Sequence, residues 1–175
     1  MDRILVFFTS GYGATRQYAE WLEADVECEV RQMEEGLPED IENYSKVLIA
    51  GGIYAGKFAG LDFMKKYADQ LGKMEVAVLA VGAENLHKGL TEKIWLQNFK
   101  DLELDVEVFY ARGEFDFRNM KFSDKMMVRI GYMIYKKKLS ENPEQYKIMG
   151  DRKTAYDWKD ENYLKPVVKW LEVRE

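Results

Sequence analysis

Nine residues near the amino terminus have the types and spacing of an anion site. In Phe8-Thr9-Ser10-Gly11-Tyr12-Gly13-Ala14-Thr15-Arg16, two glycines sit among the hydroxyls of Thr9, Ser10 and Thr15, and no lysine is present. Hydroxyl donors, inward-turned backbone N–H groups and the positive end of a following helix together suit a phosphate. Competing motifs fail. A Walker A loop ends in Gly-Lys-Ser/Thr, where Ala14-Thr15-Arg16 stands, and the pattern G-x-G-x-x-G needs glycine at Arg16. A monophosphate held without lysine or metal survives this elimination. A plain strand-to-helix turn fits the same residues equally well.

Two further stretches offer complementary chemistry. In Gly51–Lys57, Gly52 and Gly56 flank Ile53, Tyr54 and Ala55. Glycine permits close approach of a flat ligand, and Ile53 and Tyr54 could wall an aromatic ring. The plainer alternative is a glycine-rich turn with a surface tyrosine. Gly82–Lys88 carries Ala83, Glu84 and Asn85, of which Asn85 could hydrogen-bond a polar ring edge. His87, the only histidine, reads as a surface residue. No acid–base or nucleophilic constellation stands out, so no catalytic side chain is nominated.

The elements that must position these loops follow from hydrophobic periodicity. Arg3–Thr9, Lys46–Ala50 and Glu75–Val81 are apolar runs of the kind buried on both faces of a parallel sheet. Val26–Met33 alternates with period two, and Leu104–Ala111 reads as a fifth strand. Helical spacing predicts helices over Ala14–Ala24, Leu61–Leu71, Gly89–Phe99 and Asp124–Leu139, with Asp124 in capping range of the last. A final helix begins near Asp160, where Pro166 is tolerable only in a first turn. Strands alternating with helices predict an α/β fold with right-handed crossovers. Ligands of such sheets bind beyond the carboxyl ends of the strands, where all three loops fall.

Composition narrows the function classes. The chain has 175 residues, 47% hydrophobic and 33% charged, which fits one packed domain over residues 1–175. Cys28 is the only cysteine, which excludes an internal disulfide or a cysteine metal site and suits a reducing, cytoplasmic setting. A net charge of -5 argues against a nucleic-acid binder.

The motifs resemble those of a known family. The stretch Thr9–Leu22 has the hydroxyl-x-x-Gly-x-Thr ending of the flavodoxin phosphate loop, and Gly51–Lys57 is similar to the flavin-contacting second loop. The resemblance is nearest to the flavodoxin-like group that includes menaquinone-dependent protoporphyrinogen IX dehydrogenase, through the aromatic, basic stretch after Ala111, with Phe115, Phe117, Phe122, Asp124 and Met127. It implies a doubly wound, five-stranded parallel sheet in the order 2-1-3-4-5, helices on both faces, and an insertion at about 112–155. It also implies an FMN cofactor. Thr9, Ser10, Gly11, Tyr12, Gly13, Ala14 and Thr15 would hold its phosphate. Gly52, Ile53, Tyr54, Ala55 and Gly56 would line its ring, with Gly82, Ala83, Glu84 and Asn85 at the other edge. The function implied is electron transfer through FMN, to a redox partner protein, a quinone or a porphyrin. The alternatives are a protoporphyrinogen dehydrogenase, with Phe115, Phe117 and Phe122 helping to form an aromatic-lined opening, and a non-enzymatic anion-binding module.

The insertion carries a charge anomaly. Between Arg118 and Lys138 seven bases face one acid, a charge of +6 that leaves -11 for the remainder. Met126, Met127, Ile130, Met133 and Ile134 form a stripe at helical spacing, expected to pack on the flank of the sheet. The competing reading is a docking surface, including peripheral contact of the 124–139 helix with the inner face of a membrane.

Overall fold

The computed structural model describes residues 3–136 and 143–173. β1 (Arg3–Phe8), β2 (Glu29–Gln32), β3 (Tyr44–Tyr54), β4 (Lys57–Phe58), β5 (Glu75–Gly82) and β6 (Val106–Arg112) form one sheet. The parallel strands run β2-β1-β3-β5-β6, the expected 2-1-3-4-5 order. β4, antiparallel to β3, is an addition the sequence reading did not contain. Its two-residue turn takes positive φ at both Ala55 (50°) and Gly56 (82°), the geometry that matches the twist of a hairpin.

Helices cover both faces. On one, Tyr18 and Leu22 of α1 (Ala14–Asp25) and Val167 and Leu171 of the carboxyl-terminal helix (Lys165–Glu172) pack on Val6, Leu48 and Leu79. On the other, Leu5, Ile49 and Val78 meet Met64 of α2 (Leu61–Lys66), Leu71 of α3 (Ala68–Leu71) and Ile94 of α4 (Leu90–Asn98). The helix expected over Leu61–Leu71 is thus two, because Tyr67 leaves helical geometry (φ -114°, ψ 22°). Pro166 falls in the first turn of its helix, where its missing N–H costs nothing. Buried Lys46 caps that helix's far end, donating to the carbonyls of Trp170 (2.8 Å) and Val173 (2.6 Å).

The insertion has its own small core. β7 (Glu114–Asp116) pairs antiparallel with β8 (Ala155–Asp157), and between them lie α5 (Phe122–Tyr135) and α6 (Pro143–Gly150); the carboxyl-terminal helix is α7. Phe115, Phe117 and Ile148 are buried together, with Val128 and Trp158 against them. Phe115 and Phe117 therefore do not line an open wall. The base is closed by Trp158 N–H donating to Gly113 O (3.0 Å). Tyr18 ties both ends: its hydroxyl donates to Arg112 O (2.7 Å) and accepts from Asp160 N–H (3.1 Å). The segment so bounded is 113–159 rather than 112–155.

Two expectations for α5 are corrected. The helix starts at Phe122 with Lys121 at its N-cap, and Asp124 lies inside the first turn, accepting a hydrogen bond from the Tyr12 hydroxyl. Its expected end at Leu139 lies outside the described residues. Its apolar stripe does not pack on the sheet. Phe122 is 76% exposed, and Met126, Met127, Ile130, Met133 and Ile134 lie between 40% and 61%. The opposite face, with Val128 and Tyr132, is the one that packs, Tyr132 stacking on Tyr146 of α6.

Candidate functional site

The sheet register brings the three loops together. Phe8 pairs with Ala50 and Ala50 with Leu79, so the carboxyl ends of β1, β3 and β5 lie side by side. Strand order reverses between β1 and β3, the switch point at which open sheets bind ligands.

The first loop is built as an anion cradle. Gly13 takes φ 110° at the N-cap of α1, a conformation closed to most side chains. Ser10 Oγ accepts the Gly13 N–H (3.0 Å) and keeps its own proton for donation. The first intrahelical bond runs from Gln17 N–H to Gly13 O, which leaves the amides of Ala14, Thr15 and Arg16 without intrahelical acceptors at the positive end of the helix. Thr15 is buried in this turn. Thr9 donates its N–H to Ala50 O (3.1 Å) and its hydroxyl to Glu34 (3.2 Å). Tyr12 turns toward the insertion, donating to Asp124 and accepting from Lys121 N–H (3.1 Å). Burial, then Asp124, pushes the Tyr12 phenol upward, so it stays a donor.

Tyr54 joins the first loop to the second. A Cβ on Gly11 would stand 2.8 Å from its hydroxyl, and one on Gly52 would stand 2.7–2.8 Å from its ring. The two glycines are the space that this ring occupies. Burial raises the Tyr54 pKa, and the Gly11 amide opposes that rise. Ile53 is half-buried against the core around Ile49. The hairpin tip at Ala55 and Gly56 is pinned by buried Asn98, which accepts from Phe58 N–H (2.9 Å) and donates to Gly56 O (3.0 Å).

The third loop is held through its carbonyls. Gly82 O accepts from Gly113 N–H (2.7 Å), Ala83 O from Arg112 Nε (3.1 Å) and Glu84 O from the Tyr110 hydroxyl (2.7 Å). The side chains expected at a ring edge have protein partners. Asn85 donates to Glu144, and the Glu84 carboxylate meets Lys93 (3.2 Å) and His87 (3.2 Å). His87 is exposed, as expected, and its pKa is raised by the Lys88 carbonyl and then by Glu84.

Three functional neighbours were not found from sequence. Buried Arg112 stacks on Trp158 (3.8 Å to the ring centroid) and pairs with Glu144 (3.1 Å). Glu114 brings a carboxylate within 3.9 Å of where a Gly13 Cβ would be, and Lys159 neutralises it at 2.9 Å. Arg112 lies 29 residues from the Ala83 carbonyl it binds, and Glu114 and Lys159 lie still farther from Gly13 in the chain, so no local spacing signals them.

The donor set fits a monophosphate: helix-terminal amides without intrahelical acceptors, the Ser10 hydroxyl, and no lysine in the loop. Among the described residues no group of three or more His, Cys, Asp or Glu could hold a metal ion. Two surface hollows lie elsewhere, one beside α7 lined by Trp21 and Lys169, the other at the opposite edge of the sheet lined by Arg3 and Lys46. Neither includes a residue of the three loops.

Comparison with known proteins gives a consistent picture. No curated protein matches the sequence significantly. Similar solved structures include the apo-form of a flavoprotein from Lactobacillus acidophilus NCFM, at 20% identity and TM-score 0.46, covering 64% of this chain and 92% of that one. The same organism's flavoprotein in complex with FMN gives 18% and 0.42, covering 64% and 93%. Oxidised flavodoxin 2 from Bacillus cereus gives 17% and 0.42, covering 77% and 99%. The assignment rests not on these distant likenesses but on the flavodoxin-domain model, which matches residues 5–142. With most of the chain inside that match, the protein belongs to the flavodoxin domain family.

Proposed function

We propose that the protein binds FMN at these loops and transfers electrons through it. The observation that carries this reading is the lysine-free loop of glycines and hydroxyls at the positive end of α1, set at the β1/β3 switch point. Flavodoxins themselves exemplify flavin binding at that point. When bound, FMN supplies the redox chemistry. The chain's own residues bind and orient it. The amides of Ala14 and Thr15 and the Ser10 hydroxyl would hold the phosphate, and Tyr54 would be the aromatic residue available to the ring. Arg112 and Tyr110 hold the third loop in place through its carbonyls.

Of the three phenylalanines expected around a dehydrogenase opening, Phe115 and Phe117 lie inside the insertion core and Phe122 is exposed at the start of α5. The test is FMN titration of the apoprotein, followed by flavin fluorescence. A tight complex with flavin absorbance is expected. Ser10→Ala should weaken it by roughly tenfold, the size of one charge-assisted hydrogen bond. A colourless protein that takes up no FMN refutes the proposal and favours the anion-binding module.

A further inference from the structure

The outer face of α5 is the largest apolar feature left uncovered among the described residues. Phe122, Met126, Met127, Ile130, Met133 and Ile134 share one side of the helix, all at least 40% exposed. At 100° per residue they span about 140° of its circumference. This is the width of an apolar face of an amphipathic helix, and among the described residues it is left largely exposed. The inner face is already used on the insertion core, so the stripe is not a core face awaiting a small adjustment.

Charge says what covers it. Arg129 and Lys136 are exposed and run along one edge of the stripe. Arg118 and Lys121 lie exposed near its start, and the sequence continues into Lys137 and Lys138. The segment carries +6 within a chain of net -5. A second copy meeting this face symmetrically would bring two +6 segments together. A nucleic acid would leave the methionines and Phe122 unmatched. An anionic bilayer satisfies both features at once, with apolar side chains among the acyl chains and cations at the headgroups.

We infer that α5 is a membrane-surface anchor, lying in the interface of an anionic bilayer. No helix among the described residues is long and apolar enough to cross a membrane, so the contact is lateral. The opposite side of the helix start is tied to the first loop, where Tyr12 bonds both Asp124 and Lys121 N–H, so the apolar face is left free to dock. The inference does not depend on FMN.

The test is co-sedimentation of the full chain with vesicles of phosphatidylcholine alone, or with about 30% phosphatidylserine. Binding to the anionic vesicles and its loss in high salt are expected. Ile130→Glu with Met133→Glu should abolish it. Arg129→Gln with Lys136→Gln should weaken it by about thirtyfold, from roughly a factor of five per cation near the surface. All four positions are exposed, and circular dichroism checks that the variants fold. Equal binding to both vesicle types, no binding to either, or binding unchanged by the first pair overturns the inference. So does a concentration-dependent dimer in sedimentation velocity that the same pair dissolves, because the face would then be covered by a second copy.

Discussion

Replacing Gly13 by alanine isolates the contribution of the cradle backbone. Gly13 holds φ 110° and ψ -26° at the N-cap of α1, and Gly89 holds φ 87° and ψ -1° at the N-cap of α4. An alanine Cβ meets nothing closer than 3.9 Å at Gly13 and nothing within 4 Å at Gly89. The penalty is therefore backbone strain alone, about 1–3 kcal/mol for a side chain at positive φ. The reduced entropy of the unfolded chain returns roughly 0.4–1 kcal/mol, leaving a net ~1–2 kcal/mol. At Gly89 all of it should appear in the unfolding free energy. At Gly13 it can divide. If the empty loop relaxes, the strain appears as weaker FMN binding, up to about tenfold per 1.4 kcal/mol. If the loop cannot relax, it appears as lost stability. The sum of the two is fixed by the cycle. Urea unfolding of the apoprotein and FMN titration measure both terms. A Gly13→Ala sum below ~0.5 kcal/mol would refute the reasoning, as would Gly89→Ala weakening FMN equally.

Two predictions concern the scaffold. Lys46→Met should cost about 2–3 kcal/mol, because it strips two carbonyls at the end of α7 of a charged donor, and thermal melting reads the loss. A shift in melting temperature within error would mean those carbonyls find water. Tyr18 has its pKa pushed up to about 12, chiefly by burial. A raised folded value means that its contribution is whole below the unfolded value near 10 and is lost as pH rises through the folded one. Tyr18→Phe should lower stability at pH 8 and flatten the decline toward pH 12, seen in urea midpoints across that range. Parallel alkaline slopes for the two proteins would sink the assignment.

Different parts of the molecule were legible for different reasons. The strands at Arg3, Lys46 and Glu75 announce themselves because burial on both faces forces continuous apolar runs, and glycine marks where two of them end. The first loop is legible because its chemistry is local: the donors sit within nine residues of each other. The β3–β4 hairpin is not, because Ala55 at φ 50° is a poor turn residue and gives no signal. Arg112, Glu114 and Lys159 reach the site only through folding. The stripe on α5 shows the opposite difficulty. Its periodicity predicts an amphipathic helix correctly, but periodicity does not say which face finds a partner. The insertion takes Val128 for its own core and leaves the methionines outside.

The hydroxyl of Tyr18 closes the longest excursion of the chain from the sheet. It touches the carbonyl of Arg112 and the amide of Asp160, so the segment that leaves the sheet after β6 returns to the start of the carboxyl-terminal helical stretch at one atom. A loop whose ends are already held together adds little closure entropy to the fold that carries it, however long it grows. The segment is thus a cassette. It is not independent of the site, however: excising it would also remove Glu114, Asp124 and Lys159 beside the first loop and Glu144 beside the third, so the same closed segment that adds little entropy also buttresses the cradle.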